Sequence, residues 1–222
     1  MSMFERAALV RILPFALYMF FLFIADMLGR LGYGPYVLRW LYGVKIACVL
    51  TLLWLFRRDY IELARPQWRW TAVAGAASAG IVVFLLWIWL DASWMVMGSS
   101  AGFDPRVQGR IDYPLAAVRL AGAALVVPVM EELFWRSYLM RWLDNKNFLS
   151  VNPAGVKLST TVVTVILFGL EHNLWFAGVV AGAVYSVLYM RGRSLWSPIL
   201  AHAVTNGLLG VWVLATANWT YW

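Results

Sequence analysis

Apolar side chains are arranged along the 222 residues in long blocks divided by short polar segments. Neither the alternation of a half-buried strand nor the single stripe of a soluble amphipathic helix dominates. Seven blocks stand out, at about 11–28, 36–56, 71–90, 114–142, 158–173, 174–190 and 195–215. A membrane-crossing helix needs roughly 20 apolar residues, so the pattern predicts an all-α, polytopic transmembrane helix bundle of about seven spans. No internal repeat, low-complexity tract or linker interrupts it, and residues 1–222 read as a single transmembrane domain. The first block follows Arg6 and Arg11 and exits through Asp26, Met27 and Leu28 without a small-residue cleavage site, so it is expected to be a retained span. The turn between the fifth and sixth blocks, near Glu171–Leu174, is very short; one bent helix there would move the C-terminus to the other side.

Composition sharpens this picture. The chain is 63% hydrophobic and 13% charged, whereas soluble domains hold about 25% charged residues. A soluble enzyme with one membrane tail is excluded. The net charge of +7 comes from 18 Lys and Arg scattered between apolar blocks, without the basic stripe that nucleic acid requires. Such charges set topology instead. With the N-terminus cytoplasmic and seven crossings, the inner segments hold twelve: Arg6, Arg11, Arg57, Arg58, Arg65, Arg69, Arg136, Arg141, Lys146, Lys157, Arg191 and Arg193. The outer segments hold four, Arg30, Arg39, Arg106 and Arg110. An integral, multi-pass protein of a bacterial inner (cytoplasmic) membrane, N-terminus inside, is expected. Lys45 and Arg39 are expected to snorkel, and the Trp and Tyr at 219–222 to form an interfacial belt. The one cysteine, Cys48, excludes an intrachain disulfide. Small residues at four-residue spacing (Gly75 with Ala79, Ala76 with Gly80, and Gly178, Gly182 and Ser186) read as packing faces.

Ionisable groups inside a membrane are expensive and point to function. Glu131 and Glu132 are adjacent in an apolar helix and therefore about 100° apart around it. Glu132 precedes Arg136 by four residues, the favourable order for a helical ion pair. Glu131 is left to face elsewhere, where an unpaired carboxylate suits a general base. Both histidines of the chain, His172 and His202, lie in later blocks. Ser197 and Pro198 read as the N-cap and first turn of a helix on which His202 and Asn206 share a face, as donors for a developing oxyanion. At ~1.5 Å per residue, Glu131 lies about 15 Å from Arg141, His172 about 21 Å from Leu158, and His202 and Asn206 about 10 and 16 Å from Leu195. All four fall in one slab, nearer the cytoplasmic side. Glu171 is expected either to assist His172 or to pair with Arg119.

Glu-Glu-x-x-x-Arg, Phe-x-x-x-His and His-x-x-x-Asn, in this order on successive spans, resemble the motifs of the CPBP family, the CAAX proteases and bacteriocin-processing proteins also called the Abi family. Ser194–His202 resembles its third motif region, and the likeness covers about 114–210, leaving 1–113 as N-terminal spans without a motif. The family is similar to the Ras-converting CAAX endoprotease. The resemblance implies an active site inside the membrane on the C-terminal four spans. It implies catalytic Glu131, Glu132, His172, His202 and Asn206, supported by Arg136 and Phe168, with no metal or cofactor. Glu131 with His172 would activate water, and His202 with Asn206 would hold the oxyanion. The implied activity is intramembrane endopeptidase, cutting near the C-terminus of a membrane-anchored or lipid-modified protein or peptide within the lipid bilayer, with no nucleic-acid partner. The alternatives are a non-catalytic immunity or scaffold protein of the same fold, a small proton-relay transporter, and a zinc-dependent intramembrane metalloprotease using the same acids and histidines.

Overall fold

The computed structural model describes residues 3–64, 69–100 and 102–222; the expectation for Arg65 lies outside them. Each apolar block becomes a helix: α1 Met3–Arg30, α2 Pro35–Leu55, α3 Trp70–Trp89, α4 Tyr113–Asp144, α5 Leu158–Leu170, α6 Trp175–Gly192 and α7 Trp196–Thr216. The strands are a two-residue pair, Arg106–Val107 with Arg110–Ile111, closed by Gln108 and Gly109 at positive φ. The protein is an all-α polytopic bundle.

Five helices, α1 to α4 and α7, are long and apolar enough to cross a membrane. The fifth block does not yield a full-length helix. At 13 residues, α5 rises about 20 Å, against a hydrocarbon core of about 30 Å. It folds back on α6 as a hairpin. Residues 94–97 cover the hairpin turn: Asn173 Nδ2 donates to the Met97 carbonyl (3.0 Å), and Trp175 Nε1 donates to that of Trp94 (3.1 Å). A polar turn carrying Glu171 and His172 is thereby brought into the bundle instead of standing at its face. Irregular backbone at such a depth is tolerated where protein covers it or it lines a cavity.

Helix boundaries follow local chemistry. Asp112 caps α4 by accepting from the Leu115 N–H (3.1 Å), and a proline follows in the first turn. Arg193 and Ala217, in the left-handed region, end α6 and α7. Ser197 is not a cap: α7 begins one residue earlier, and it is Ser194 Oγ that accepts from the Trp196 N–H. Trp70 and Trp89, at opposite ends of α3, are 87% and 77% exposed, as interfacial tryptophans are.

Two contacts bring helix backbones together. A Cβ at Gly80 would overlap the Ala201 carbonyl of α7, and one at Gly169 would strike Val179 and the Trp175 carbonyl of α6. Gly178 and Gly182 meet α5 in the same way. Gly75 does not follow the expectation: nothing lies near its missing Cβ, and it faces outward.

Helix α4 is not regular. Its hydrogen bonding widens to a π-helical pattern at Gly122–Val126 and again at Leu133–Leu139, on either side of the Glu-Glu pair. Such bulges concentrate at functional sites. Ser137 in the second bulge and Arg141 just past it join Arg11 of α1 around Glu62, from the α2–α3 connection. Arg11 grips Glu62 with Nε (3.0 Å) and Nη2 (2.6 Å), Arg141 Nη2 adds a third contact (2.8 Å), and the Ser137 hydroxyl donates a fourth. Arg11 and Arg141 are therefore buried partners, not inner-loop charges.

Candidate active site

Helices α4, α5 and α7 bring the predicted residues together. Glu131, Phe168, His172, His202 and Asn206 line one cavity of about 160 Å³, roomy enough for several waters. Glu132 and Arg136 lie behind it, wholly buried.

The two acids divide as their helical angle implies. Glu132 Oε1 accepts from Arg136 Nη1 (3.0 Å) and lies 3.1 Å from His202 Nδ1. Glu132 thus serves two partners, and the expected pairing with Arg136 is half of its work. Arg136 also donates Nη2 to the Gly182 carbonyl (3.2 Å) and stacks over Phe168 with its guanidinium carbon 4.3 Å from the ring centre. Glu131 points the other way. Its Oε2 is buried with no hydrogen-bond partner among the described residues and lies 4.0 Å from His202 Nε2.

Each histidine is held by its inner nitrogen. His172 Nδ1 is 2.8 Å from the Phe168 carbonyl; an oxygen acceptor requires the proton on Nδ1, so Nε2 keeps its lone pair. His202 Nδ1 faces the Glu132 carboxylate, so its proton also sits on Nδ1 and Nε2 faces Glu131. Nε2 of His202 donates to an oxyanion only when the ring carries a second proton, a condition the spacing of residues does not reveal. The Tyr185 ring stacks on His202 at 4.9 Å, and Phe168 meets it edge-on at 6.2 Å.

Asn206 is tied to the distortion of α4. The Val127 N–H bonds back to the Gly122 carbonyl in the widened register. The next donor in that register would be residue 128, which is proline and has none. The Ala123 carbonyl this orphans accepts instead from Asn206 Nδ2 at 2.9 Å. One amide hydrogen of Asn206 remains for a ligand.

Glu171 takes neither expected partner: Trp135 Nε1 donates to its Oε2 (3.1 Å). Lys45 does not snorkel; it is buried, with Nζ 3.8 Å from the Tyr18 ring centre. Arg39 reaches the Arg106 carbonyl (2.7 Å). The C-terminal aromatics are more than a belt: Tyr221 and Trp222 line the cavity, and the Tyr221 hydroxyl donates to Asp91 (2.9 Å). The cavity continues into a second of about 270 Å³ reaching Ser100, Glu171, Asn173 and Thr220. It therefore runs towards the covered hairpin turn, away from the basic helix ends. Tyr185 and Trp135 were missed from sequence because an aromatic in an apolar helix carries no mark of its neighbours.

No group of three or more His, Cys, Asp or Glu side chains among the described residues is placed to hold a metal ion. Residues 113–208 match the family model described as type II CAAX prenyl endopeptidase Rce1-like. No curated protein and no solved structure matched. The matched segment runs from the start of α4 through Asn206 and contains every residue predicted for the site. Residues 113–208 of this integral membrane chain are thus similar to the Rce1-like type II CAAX prenyl endopeptidases.

Proposed function

We propose that the chain is a glutamate-type intramembrane endopeptidase that hydrolyses a peptide bond near the C-terminus of a membrane-anchored or lipid-modified protein, in a bacterial inner membrane with its N-terminus cytoplasmic. One observation carries this reading: the Glu131 carboxylate, whose Oε2 has no hydrogen-bond partner among the described residues, lines a cavity shared with His172, His202 and Asn206. Glu131, with the Nε2 lone pair of His172, takes a proton from a water molecule as its oxygen attacks the scissile carbonyl. The carbonyl oxygen becomes an oxyanion, which accepts from the free amide hydrogen of Asn206 and from doubly protonated His202. Collapse breaks the C–N bond, and Glu131 returns the proton to the leaving amine. No covalent enzyme intermediate forms. With His202 protonated, Glu131, Glu132, Arg136 and His202 carry two negative and two positive charges and balance inside the membrane.

The test uses detergent-purified protein and a prenylated peptide with a free C-terminus, in water enriched in ¹⁸O. Cleavage placing one ¹⁸O in the new carboxylate, persisting in chelator and lost in Glu131→Gln, is expected. Activity that disappears with chelator and returns with zinc would point to the metalloprotease. Absence of cleavage of any membrane-anchored peptide would favour the scaffold.

A further inference from the structure

Two cations near the cavity, the buried Lys45 and the half-buried Arg119, lack what the other buried cations among the described residues have. Arg11, Arg136 and Arg141 each meet a carboxylate. Lys45 and Arg119 have none within ion-pair distance among the described residues. Lys45 is 5% exposed, and Arg119 Nε is buried without a hydrogen-bond partner. Both rest on aromatic rings. The Arg119 guanidinium carbon lies 4.4, 5.3 and 5.8 Å from the ring centres of Tyr42, Phe103 and Trp222, and Lys45 Nζ lies 3.8 and 4.9 Å from those of Tyr18 and Tyr42. Ring faces attract cations but supply no counter-charge. An unpaired cation at such depth is costly and marks a site awaiting an anion.

Arg119 lines the cavity that holds Glu131 and His202, as well as its continuation. Tyr18 lines the same cavity as Arg119 and Glu131, and its ring carries the Lys45 ammonium. Arg119 and Glu131 are twelve residues apart on α4, about 18 Å of rise, which roughly five residues of extended chain bridge.

We infer that Arg119, with Lys45 behind it, binds the free C-terminal carboxylate of the substrate and thereby directs cleavage to a bond within about five residues of the chain end. The inference rests on the endopeptidase reading and names what that site recognises. A guanidinium fork suits a carboxylate in a bidentate pair. A chain end supplies the missing negative charge, whereas an internal segment leaves the recess unpaired.

The test compares two prenylated peptides identical except that one ends in a carboxylate and the other in a carboxamide. The parent enzyme in lipid-free detergent is expected to cleave the acid with a kcat/KM at least about tenfold higher, and Arg119→Gln to bring that ratio within about twofold. Lys45→Met should reduce it in the same direction and serves if Arg119→Gln fails to fold. A parent that cleaves both peptides equally overturns the inference while leaving the proteolytic reading intact, and points to a lipid phosphate as occupant of the recess. A ratio that stays above about tenfold in both variants also overturns it. If neither peptide is cleaved, the proteolytic reading has failed. Fluorescence binding of the two peptides to Glu131→Gln protein then decides alone: tighter binding of the acid, abolished by adding Arg119→Gln, supports the carboxylate site, and equal binding rejects it.

Discussion

Glu131 and Glu132 show how little sequence distance says about role. The first lines the cavity with its Oε2 free of hydrogen bonds among the described residues, and the second is enclosed by Arg136 and His202. Glu131→Gln keeps the shape and removes a proton acceptor, so a rate loss of about 10²–10⁴-fold with an unchanged melting temperature is expected. Glu132→Gln removes the counter-ion of a buried guanidinium and the anchor of His202. Such a loss costs about 3–5 kcal/mol, so activity and thermal stability should fall together. Thermal melts in detergent beside peptide cleavage separate the two outcomes; an early-melting Glu131→Gln would remove the basis for the division.

At the scale of elements, the site depends on how closely α5, α6 and α7 approach their neighbours. Gly80 admits the α7 backbone that carries His202, and Gly169 admits α6 beside the helix that leads into the His172 turn. A valine at either position pushes against backbone, which neither rotates nor bends away. Each substitution is expected to destabilise by about 1–3 kcal/mol and to reduce activity by displacing a histidine. Gly75→Val, on the outward face of α3, is the control and should melt as the parent does. The distortion of α4 belongs to the same scale, since Pro128 removes a donor and Asn206 fills the gap it leaves.

For the molecule as a whole, the Glu62 cluster closes the end of the bundle remote from the cavity. Burial by itself pushes the Glu62 carboxyl up, but the hydrogen bonds and charge of Arg11, helped by Ser137, outweigh it and hold the group below the usual glutamate range. A carboxyl depressed in the folded state stabilises above its unfolded pKa of about 4.3, and that stability is lost as pH falls through the lower folded value. Melting temperature should therefore drop on acidification below about pH 4.3, and Glu62→Gln should flatten part of that slope. Burial also revises the topology argument. Arg11, Arg136 and Arg141 are paired inside the bundle and do not act as loop charges. Removing these three from the twelve leaves nine against four, so the N-inside proposal stands. On that topology the cavity continuation at Ser100 and Thr220 faces the extracytoplasmic side. A cysteine at Thr220 in a Cys48→Ser background should react with an impermeant maleimide applied to intact cells. Labelling only after the membrane is opened would reverse the orientation.

Periodicity and charge made the helices, the membrane setting and the six polar residues of the candidate site legible from sequence, because lipid penalises polar groups so heavily that each one retained stands out, whereas Phe168 entered only through the family resemblance. The i, i+4 spacings of Glu132 with Arg136 and His202 with Asn206 carry their meaning within one helix, where geometry is known in advance. Everything that depended on a partner from another helix was decided by tertiary structure. The second bond of Glu132 to His202, the hold of Trp135 on Glu171, the ring of Tyr185 beneath His202 and the burial of Lys45 all join residues far apart in the chain. The turn between α5 and α6 was legible near Glu171–Leu174, but the shortness of α5 and the cover that residues 94–97 give the turn were not. Local pattern records what each residue costs in lipid; which partner offsets that cost is settled only when the helices meet.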